Sequence, residues 1–400
     1  MSDARNCADA RPPDHLSGVN PRPVRVLHLH SGNLYGGVET LLVTLARWRC
    51  LCPDMEPHFA LCYEGQLSRE LAAESVPVHI LGRVRISRPW TVLRARRRLR
   101  ELLQSERFDV ICHMPWPLAV FGSSTRLSGR GLIFWAHNCH TGRSWLERMA
   151  RRTVPDLAIS NSQFVAASLS SLFPGVRSPT MYYPVALTDT PDAAAWRASA
   201  RREQEVGDDV TVIVQVSRFE AWKGHLLHLR ALSQLRTTNR WVCWIVGGPQ
   251  NAEDERHFLE VQQTANALGV SECVRFLGQR SDVNRLLAGA DIFCQPNQGP
   301  EPFGIVFVEA LWAGLPVVST AMGGALEIID ESCGLLVEPN DAARLARSLQ
   351  QLIDSPELRR RLGQAGPRRA KQLCDPALQM ALLRDLVHDI AAPHHNRISA

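Results

Sequence analysis

Short apolar runs alternate with helix-patterned segments along most of the chain. The runs are VRVLHLH, HFALCY, VPVHIL, FDVICHM, GLIFWAH, DLAIS and TMYY in the first half, and VTVIVQVS, WVCWIVGG, VRFLGQ, ADIFCQ and PVVST in the second. Apolar runs of this kind, separated by amphipathic segments, are typical of parallel strands connected by helices. The pattern predicts an α/β protein with doubly wound parallel sheets and binding crevices at the carboxyl ends of the strands.

The alternation is interrupted once, which indicates two domains. Residues 189–207 are polar and rich in alanine, so we interpret them as a linker between domains at 24–188 and 208–372. Residues 1–23 have no hydrophobic period and are expected to be a flexible tail. A chain of 400 residues with 45% hydrophobic content is long enough for two separate cores.

The most informative stretch is NQGPEPFGIVFVEALWAGL, residues 297–315. Its prolines and Gly304 indicate a loop, and the apolar run that follows predicts a helix beginning between Phe303 and Ile305. The first N–H groups of a helix have no intrahelical partner and carry the positive end of its dipole. This helix start therefore favours a phosphate.

Two glutamates flank the predicted helix start. Glu301 lies in the loop, and Glu309 lies inside the helix among apolar residues, where a carboxylate is expected to be buried and to need a polar partner. Carboxylates on either side of unpaired amides suit a ligand with hydroxyls at both ends and phosphate in the middle, such as a nucleotide sugar. The alternative is an ordinary helix N-terminus with an acidic residue nearby and a core glutamate bonded to a neighbour.

The spacing of Glu301 and Glu309 resembles the Glu-x7-Glu motif of the retaining family 4 glycosyltransferases. The resemblance implies the GT-B fold, in which two Rossmann-like domains face each other across a cleft and a last helix, here residues 373–392, packs back on the N-terminal domain. It implies transfer of a sugar from a UDP- or GDP-linked donor to a glycan, lipid-linked or other hydroxyl acceptor, with retention of configuration. Cell-envelope or extracellular polysaccharide synthesis would be the setting.

The resemblance also implies roles for individual residues. Glu301 would contact the sugar hydroxyls, Glu309 the ribose hydroxyls, and His137, at the end of GLIFWAH, would orient the reacting sugar. From position alone, a structural role for His137 stays open, as does a tight turn for the Gly-Gly pair at 36–37. The backbone positions expected beside the donor are Gly36, Gly37, Gly248, Gly278, Phe303, Gly304, Ile305, Gly323 and Gly324.

The basic residues are almost all arginine, and the net charge is +5. Lys223 and Lys371 are the only lysines, so a compact ammonium at Lys223, in the same loop as Arg218, suggests an anion that needs a point charge. The resembled family uses an arginine and a lysine at these motif positions on the donor diphosphate. The alternative is a pair of exposed charges. Because the chain has no Asp-x-Asp sequence, we expect no metal or other cofactor.

Nine arginines lie between Arg83 and Arg107, with apolar residues at helical spacing among them. This pattern predicts a basic amphipathic helix. Peripheral attachment to an anionic membrane, or to a phosphorylated acceptor, is one interpretation, and a solvated arginine-rich face is the other. We expect no nucleic-acid partner.

Eleven cysteines without regular spacing and a polar N-terminus predict no disulfide framework, zinc site or secretion signal. We therefore expect a cytoplasmic protein, at most at the inner face of the plasma membrane. Two other functions stay open: another GT-B enzyme of the epimerase or phosphorylase type, and a non-catalytic, basic membrane-binding protein. The Glu-x7-Glu spacing argues against an epimerase, and no lysine lies where a phosphorylase would need one for its bound cofactor. The second function, a non-catalytic membrane-binding protein, leaves Glu309 unexplained.

Overall fold

The computed structural model describes residues 23–32, 36–186 and 192–391. The chain forms two units, one with the residues up to Pro184 and from Asp375 onward, and the other with Val185–Cys374. All but the last residue of the predicted tail, and the start of the predicted linker, lie outside the described residues.

Except for the short edge strand Val78–Ile80, the strands of the first unit are buried along most of their length. Its elements are β1 Val24–His30, α1 Gly37–Arg47, β2 Met55–Leu61, α2 Gln66–Ala73, β3 Val78–Ile80, α3 Pro89–Ser105, β4 Asp109–His113, α4 Pro115–Leu127, β5 Leu132–Ala136, α5 Trp145–Ala150, β6 Leu157–Ser160 and α6 Gln163–Leu169. The predicted strand TMYY contributes only an isolated bridge at Thr180. Ser162 caps α6 by accepting a hydrogen bond from Val165 N.

These strands form one parallel sheet in the order β3-β2-β1-β4-β5-β6. Apolar side chains cover both faces: Leu42 and Leu71, from α1 and α2, pack on one, and Leu99 and Phe121, from α3 and α4, on the other. Because consecutive connections leave β1 in opposite directions, the switch point of this sheet lies between β1 and β4. Ligand crevices in such sheets lie at the carboxyl ends of the strands at this point.

The second unit repeats this architecture. Its elements are α7 Ala193–Glu203, β7 Thr211–Val216, α8 His225–Leu232, β8 Trp241–Val246, α9 Ala252–Ala267, β9 Val274–Gly278, α10 Val283–Gly289, β10 Ile292–Gln295, α11 Ile305–Trp312, β11 Val317–Thr320, α12 Ala325–Ile328, β12 Gly334–Val337, α13 Ala342–Asp354 and α14 Pro356–Cys374. The sheet is again parallel, in the order β12-β11-β10-β7-β8-β9, so its switch point lies between β7 and β10.

Helix α7 occupies much of the segment that the sequence indicated as a linker. Asp192 caps it by accepting a hydrogen bond from Ala195 N. The buried Arg201 then donates to the carbonyl oxygens of Gly289 and Val210, and its guanidinium pairs with Asp291. These contacts tie α7 to the second unit, which explains why a polar, alanine-rich segment is ordered here.

The last helix, α15 Pro376–Ala391, belongs to the first unit. There Asp389 Oδ2 lies 2.9 Å from Arg177 Nη1. Among the described cysteines, Cys50 is disulfide-bonded and the other nine are free.

Candidate functional site

The switch point of the second sheet brings together the rare lysine and the first glutamate of the motif. Lys223 follows β7 and Glu301 follows β10, and Lys223 Nζ lies 2.6 Å from Glu301 Oε2. Lys223 Nζ also lies 3.9 Å from the centroid of the Trp222 ring, at cation–π distance. The two residues that the family resemblance assigned to the diphosphate and to the sugar therefore pair with each other.

Amide side chains at the ends of β7 and β10 hold this pair in place. Asn297 Nδ2 donates to Glu301 Oε2 at 3.0 Å, and Gln295 Nε2 donates to Asn297 Oδ1 at 3.1 Å. On the lysine side, Gln215 Nε2 donates to the Lys223 carbonyl at 3.0 Å. These amides were not predicted from the sequence, although a Gln or Asn at the end of an apolar core strand indicates a buried polar network.

Glycine at three positions lets the loops of this edge approach one another closely. Gly224 has φ +77°, and a Cβ there would lie 1.8 Å from the Pro296 carbonyl oxygen. A Cβ at Gly323, with φ +57°, would lie 2.4 Å from the Glu301 carbonyl oxygen, and one at Gly324 would lie 2.5 Å from that of Phe303. Glycine is therefore needed for the backbone geometry that positions Glu301.

Helix α11 begins at Ile305, as the sequence predicted. Its N-cap residue is Gly304, with φ +100°, which supplies no side-chain cap. The buried Phe303 precedes it. The first N–H groups of α11 are therefore not capped by the N-cap side chain and lie at the positive end of the helix dipole, beside the Glu301 loop.

Glu309 differs from its expected environment in two ways. The residue is half-buried, as are Ile305 and Trp312, so α11 is not enclosed on all sides. The expected polar partner is also absent among the residues that the structure describes, and burial alone raises the pKa of the Glu309 carboxyl to about 7. The helix thus presents a partly hydrated carboxyl that has no partner from the protein in the described parts of the chain.

The other positions assigned to the donor in this unit lie on neighbouring loops. Arg218 pairs with Glu220 at 2.9 Å and is half-exposed, so the structure does not join it to Lys223. Gly247 N donates to the carbonyl oxygen of Gly278 at 2.8 Å, which brings the loops after β8 and β9 together, and Gly248 lies beside them.

In the first unit, helix α1 starts at the Gly36–Gly37 pair. Gly36 is an extended N-cap residue with no side-chain cap, and Gly37 is the first helical residue. Nearby, His30 Nε2 lies 2.7 Å from Glu39 Oε1. Burial would raise the pKa of Glu39, but the hydrogen bond and charge of His30 bring it below its usual value.

His137 lies directly after β5 but is buried, with 3% exposure. Its Nδ1 lies 2.5 Å from Tyr183 Oη, and its Nε2 lies 2.9 Å from His113 Nδ1. Both ring nitrogens therefore have partners from the protein, so a sugar hydroxyl would have to displace one of them. Sequence reasoning missed His113 and Tyr183, which depend on strand neighbours rather than on any local motif.

The basic segment forms α3 as predicted. Trp90 and Leu93 on this helix are each 61% exposed, and Arg94 and Arg97 share their face at helical spacing. By contrast, Arg96 donates to the Val120 carbonyl and is held by the protein. In the described part of the chain, we find no helix whose length and apolar character would let it cross a membrane. Nor do those residues group three His, Cys, Asp or Glu side chains as metal ligands would be grouped.

Two family models match the chain. Residues 197–369 match the glycosyl transferases group 1 model, and residues 35–180 match the glycosyltransferase family 4 model. Among solved structures, a glycosyltransferase from Rickettsia africae has a TM-score of 0.82 at 20% identity and covers 93% of this chain and 99% of that one. Anabaena HepE, in complex with UDP and glucose, has a TM-score of 0.77 at 22% identity and covers 91% and 99%.

Curated relatives agree with these matches. Human alpha-1,3/1,6-mannosyltransferase ALG2 is 28% identical over 76% of this chain and 71% of its own length. The D-inositol 3-phosphate glycosyltransferase of Salinispora tropica is 31% identical over 52% of this chain, and the chain spans 44% of that relative's length. The fold is therefore GT-B, and the two halves of the chain match models of glycosyltransferase families.

Proposed function

We propose that the protein transfers a sugar from a nucleoside diphosphate to a hydroxyl acceptor. One observation carries the proposal: Lys223, the carboxylate of Glu301 and the start of α11 meet at one switch point. Glu309, on the same helix, offers a carboxyl without a protein partner in the described residues. In a nucleotide sugar, the diphosphate lies between a sugar and a ribose, which both carry hydroxyls. This order matches a positively charged site between two carboxyl groups.

The charges also suit the chemistry of the reaction. As the glycosidic bond breaks, the diphosphate leaving group gains negative charge, which Lys223 and the N–H groups of α11 would stabilise. Arg218 would join them after release from Glu220. This supplies the needed positive charge from the protein itself, so we propose transfer without a metal ion.

We propose that transfer retains the anomeric configuration through attack on the same face of the sugar that the diphosphate leaves. Support comes from the resemblance of Glu301 and Glu309 to the retaining motif. Glu301, held by Lys223 and Asn297, would bind sugar hydroxyls rather than act as a nucleophile.

The donor is proposed to be a UDP- or GDP-sugar and the acceptor a glycan or a lipid-linked glycan of the cell envelope. HepE binds UDP and glucose, and a Corynebacterium glutamicum relative is a GDP-mannose-dependent mannosyltransferase for a phosphatidylinositol monomannoside. Such acceptors suit a cytoplasmic enzyme at the inner face of a membrane. The exposed Trp90 and Leu93 beside arginines on α3 fit peripheral contact with an anionic surface.

A thermal-shift panel of UDP-glucose, GDP-mannose and ADP-glucose, each with and without EDTA, tests the proposal. A donor at 100 times its Kd should stabilise the protein by about 2.7 kcal/mol. We expect one nucleotide class to stabilise the protein, and to do so equally with and without excess EDTA. Stabilisation by none of them would contradict the proposal. Salt-dependent vesicle binding without any nucleotide effect would favour a non-catalytic membrane protein.

A further inference from the structure

Three buried histidines and a tyrosine form a continuous hydrogen-bonded chain in the first unit. His28 Nδ1 lies 3.0 Å from His113 Nε2, His113 Nδ1 lies 2.9 Å from His137 Nε2, and His137 Nδ1 lies 2.5 Å from Tyr183 Oη. The three rings stack, with centroids 5.3 Å and 5.2 Å apart. The chain runs from the middle of β1, across the end of β4, to the residue after β5.

The rings are neutral. Burial, and the neighbouring imidazoles, lower the pKa of His28 to about 3 and hold those of His113 and His137 well below their usual value. A neutral imidazole carries one proton, so each ring donates through one nitrogen and accepts through the other. Hydrogen-bond donation along the row of three histidines and Tyr183 can therefore run in only two directions.

The inner end of the chain decides between these directions. His28 Nε2 is buried and has no hydrogen-bond partner among the described residues. A proton on this atom would leave an N–H donor buried and unsatisfied, which is rarer in proteins than an unsatisfied acceptor. The proton of His28 therefore belongs on Nδ1, where it is donated to His113 Nε2. His113 then donates through Nδ1 to His137, and His137 donates through Nδ1 to Tyr183.

We infer that His28 and His113 are positioning residues that fix the direction of hydrogen bonding at His137 and Tyr183. Tyr183 Oη then accepts from His137 and, at 3.1 Å, from Asn161 Nδ2. Its own O–H proton is directed away from His137. The hydrogen-bonding direction at the end of β5 is thus set by a ring on β1, before any donor binds.

Nitrogen-15 NMR of the full chain with labelled histidine tests the direction, because protonated and unprotonated ring nitrogens have different shifts. We expect the Nδ1–H form for His28, His113 and His137 near pH 7.5, and the same form after UDP-glucose is added. Nε2–H forms at these three residues would overturn the inference. So would tautomers that become fixed only when the nucleotide sugar binds.

Two substitutions at His28 give opposite predictions. His28→Leu leaves His113 Nε2 as the new unpartnered atom, so His113 and His137 should keep the Nδ1–H form. His28→Asp supplies only an acceptor there, so His113 Nε2 should donate to it and both rings should switch to the Nε2–H form. His58→Leu is the control. This buried histidine lies next to Phe59, the register partner of His28, and therefore on the opposite face of the sheet. Unchanged tautomers in a folded His28→Asp protein would overturn the inference.

The effect on turnover rests on the proposed function. With UDP-glucose and GDP-mannose as donors, His28→Asp should lower kcat about tenfold, or about 1.4 kcal/mol in the barrier, with little change in KM, while His58→Leu matches the unsubstituted protein. Reversed tautomers with unchanged kcat would overturn the positioning role. If the unsubstituted protein turns over neither donor, the proposed function fails, and the NMR result still decides the direction of the chain.

Discussion

Lys223 Nζ lies 2.6 Å from Glu301 Oε2, and each side chain keeps only 12% exposure. The pair cancels a positive and a negative charge that the sequence assigned to different ends of a donor. A diphosphate would compete with Glu301 for the ammonium. We therefore expect donor binding to exchange this ion pair for a lysine–phosphate contact and to release Glu301 toward the sugar hydroxyls.

Replacing Lys223 tests this exchange. Lys223→Met keeps the length of the side chain and removes its charge, so the Kd for UDP or GDP should rise. A charge-assisted hydrogen bond contributes about 1.5–3 kcal/mol, and the loss should fall toward the lower end because Glu301 already competes for the ammonium. Lys371→Met is the matched control, since it removes the other lysine from an exposed position on α14. Equal nucleotide affinity for both variants in calorimetry would remove Lys223 from the phosphate site.

Local pattern was enough to predict the parallel sheets, the loop containing Glu301 and the start of α11 at Ile305. These features depend on short stretches in which glycine, proline and apolar period carry the information. The partners of Lys223 and of His137 were not predictable in this way. They come from strands distant in the chain, and only the order β1-β4-β5 and β7-β10 makes them neighbours.

The histidines illustrate the same limit. VRVLHLH places two histidines on one face of a core strand, which signals a buried polar cluster, but the spacing does not say what they contact. For Glu309, the apolar sequence of α11 suggested burial on all sides. The structure leaves the helix partly exposed at Ile305, Glu309 and Trp312, so one side of it is not covered by the core.

Acidification should destabilise the protein through its buried histidines. Burial lowers the pKa of His28, His225 and His228 to about 3, whereas in the unfolded chain each takes up a proton near pH 6.5. The buried histidines therefore do not reduce the free energy of unfolding above about pH 6.5, and they reduce it progressively as pH decreases below that value. At pH 5 the loss should be about 2 kcal/mol for each such histidine.

Urea midpoints at pH 7.5 and pH 5 measure this loss, followed by tryptophan fluorescence. His228 sits in the second unit and bonds Gln215 through Nδ1, so His228→Gln should reduce the pH dependence of that unit's transition. A midpoint that stays constant or rises on acidification would be inconsistent with neutral buried rings. Both transitions must be followed if the two units unfold separately.

The exposed face of α3 and the arginines just before it should bind anionic vesicles. Arg85 and Arg88 precede the helix, Arg94 lies on it, and all three are exposed, so changing them to Gln should weaken sedimentation with phosphatidylglycerol vesicles by about 1 kcal/mol per residue. Salt should weaken it further. Trp90→Ser should weaken binding independently of salt, because it removes apolar contact.

The control for α3 removes the same charge elsewhere. Arg347, Arg360 and Arg361 are exposed in the second unit, and their replacement by Gln leaves α3 intact. If both triple variants lose binding equally, net charge rather than a surface on α3 is responsible. If neither does, the arginine-rich face is simply solvated.

The two glutamates of the motif should separate nucleotide binding from transfer. Glu309, with a pKa raised to about 7 and no protein partner in the described residues, is expected to accept hydrogen bonds from ribose hydroxyls. Glu309→Gln should therefore weaken binding of free UDP or GDP. The nucleotide affinity of the unsubstituted protein, divided by that of Glu309→Gln, should rise as pH increases from 6 to 8, because the ionised carboxylate accepts hydrogen bonds better than the protonated carboxyl.

Glu301→Gln has the opposite expected profile. In the unsubstituted protein, the Glu301 carboxylate accepts hydrogen bonds from Lys223 and Asn297, and it is expected to contact only the sugar of the donor. Free nucleotide should therefore bind to the Glu301→Gln variant about as well as before or better, because Lys223 no longer has a competing anion. Single-turnover transfer should fall by much more than nucleotide affinity changes. Measuring Kd for the nucleoside diphosphate and the transfer rate for both variants decides the matter. Loss of nucleotide affinity in Glu301→Gln, with none in Glu309→Gln, would mean that the donor lies in the reverse orientation.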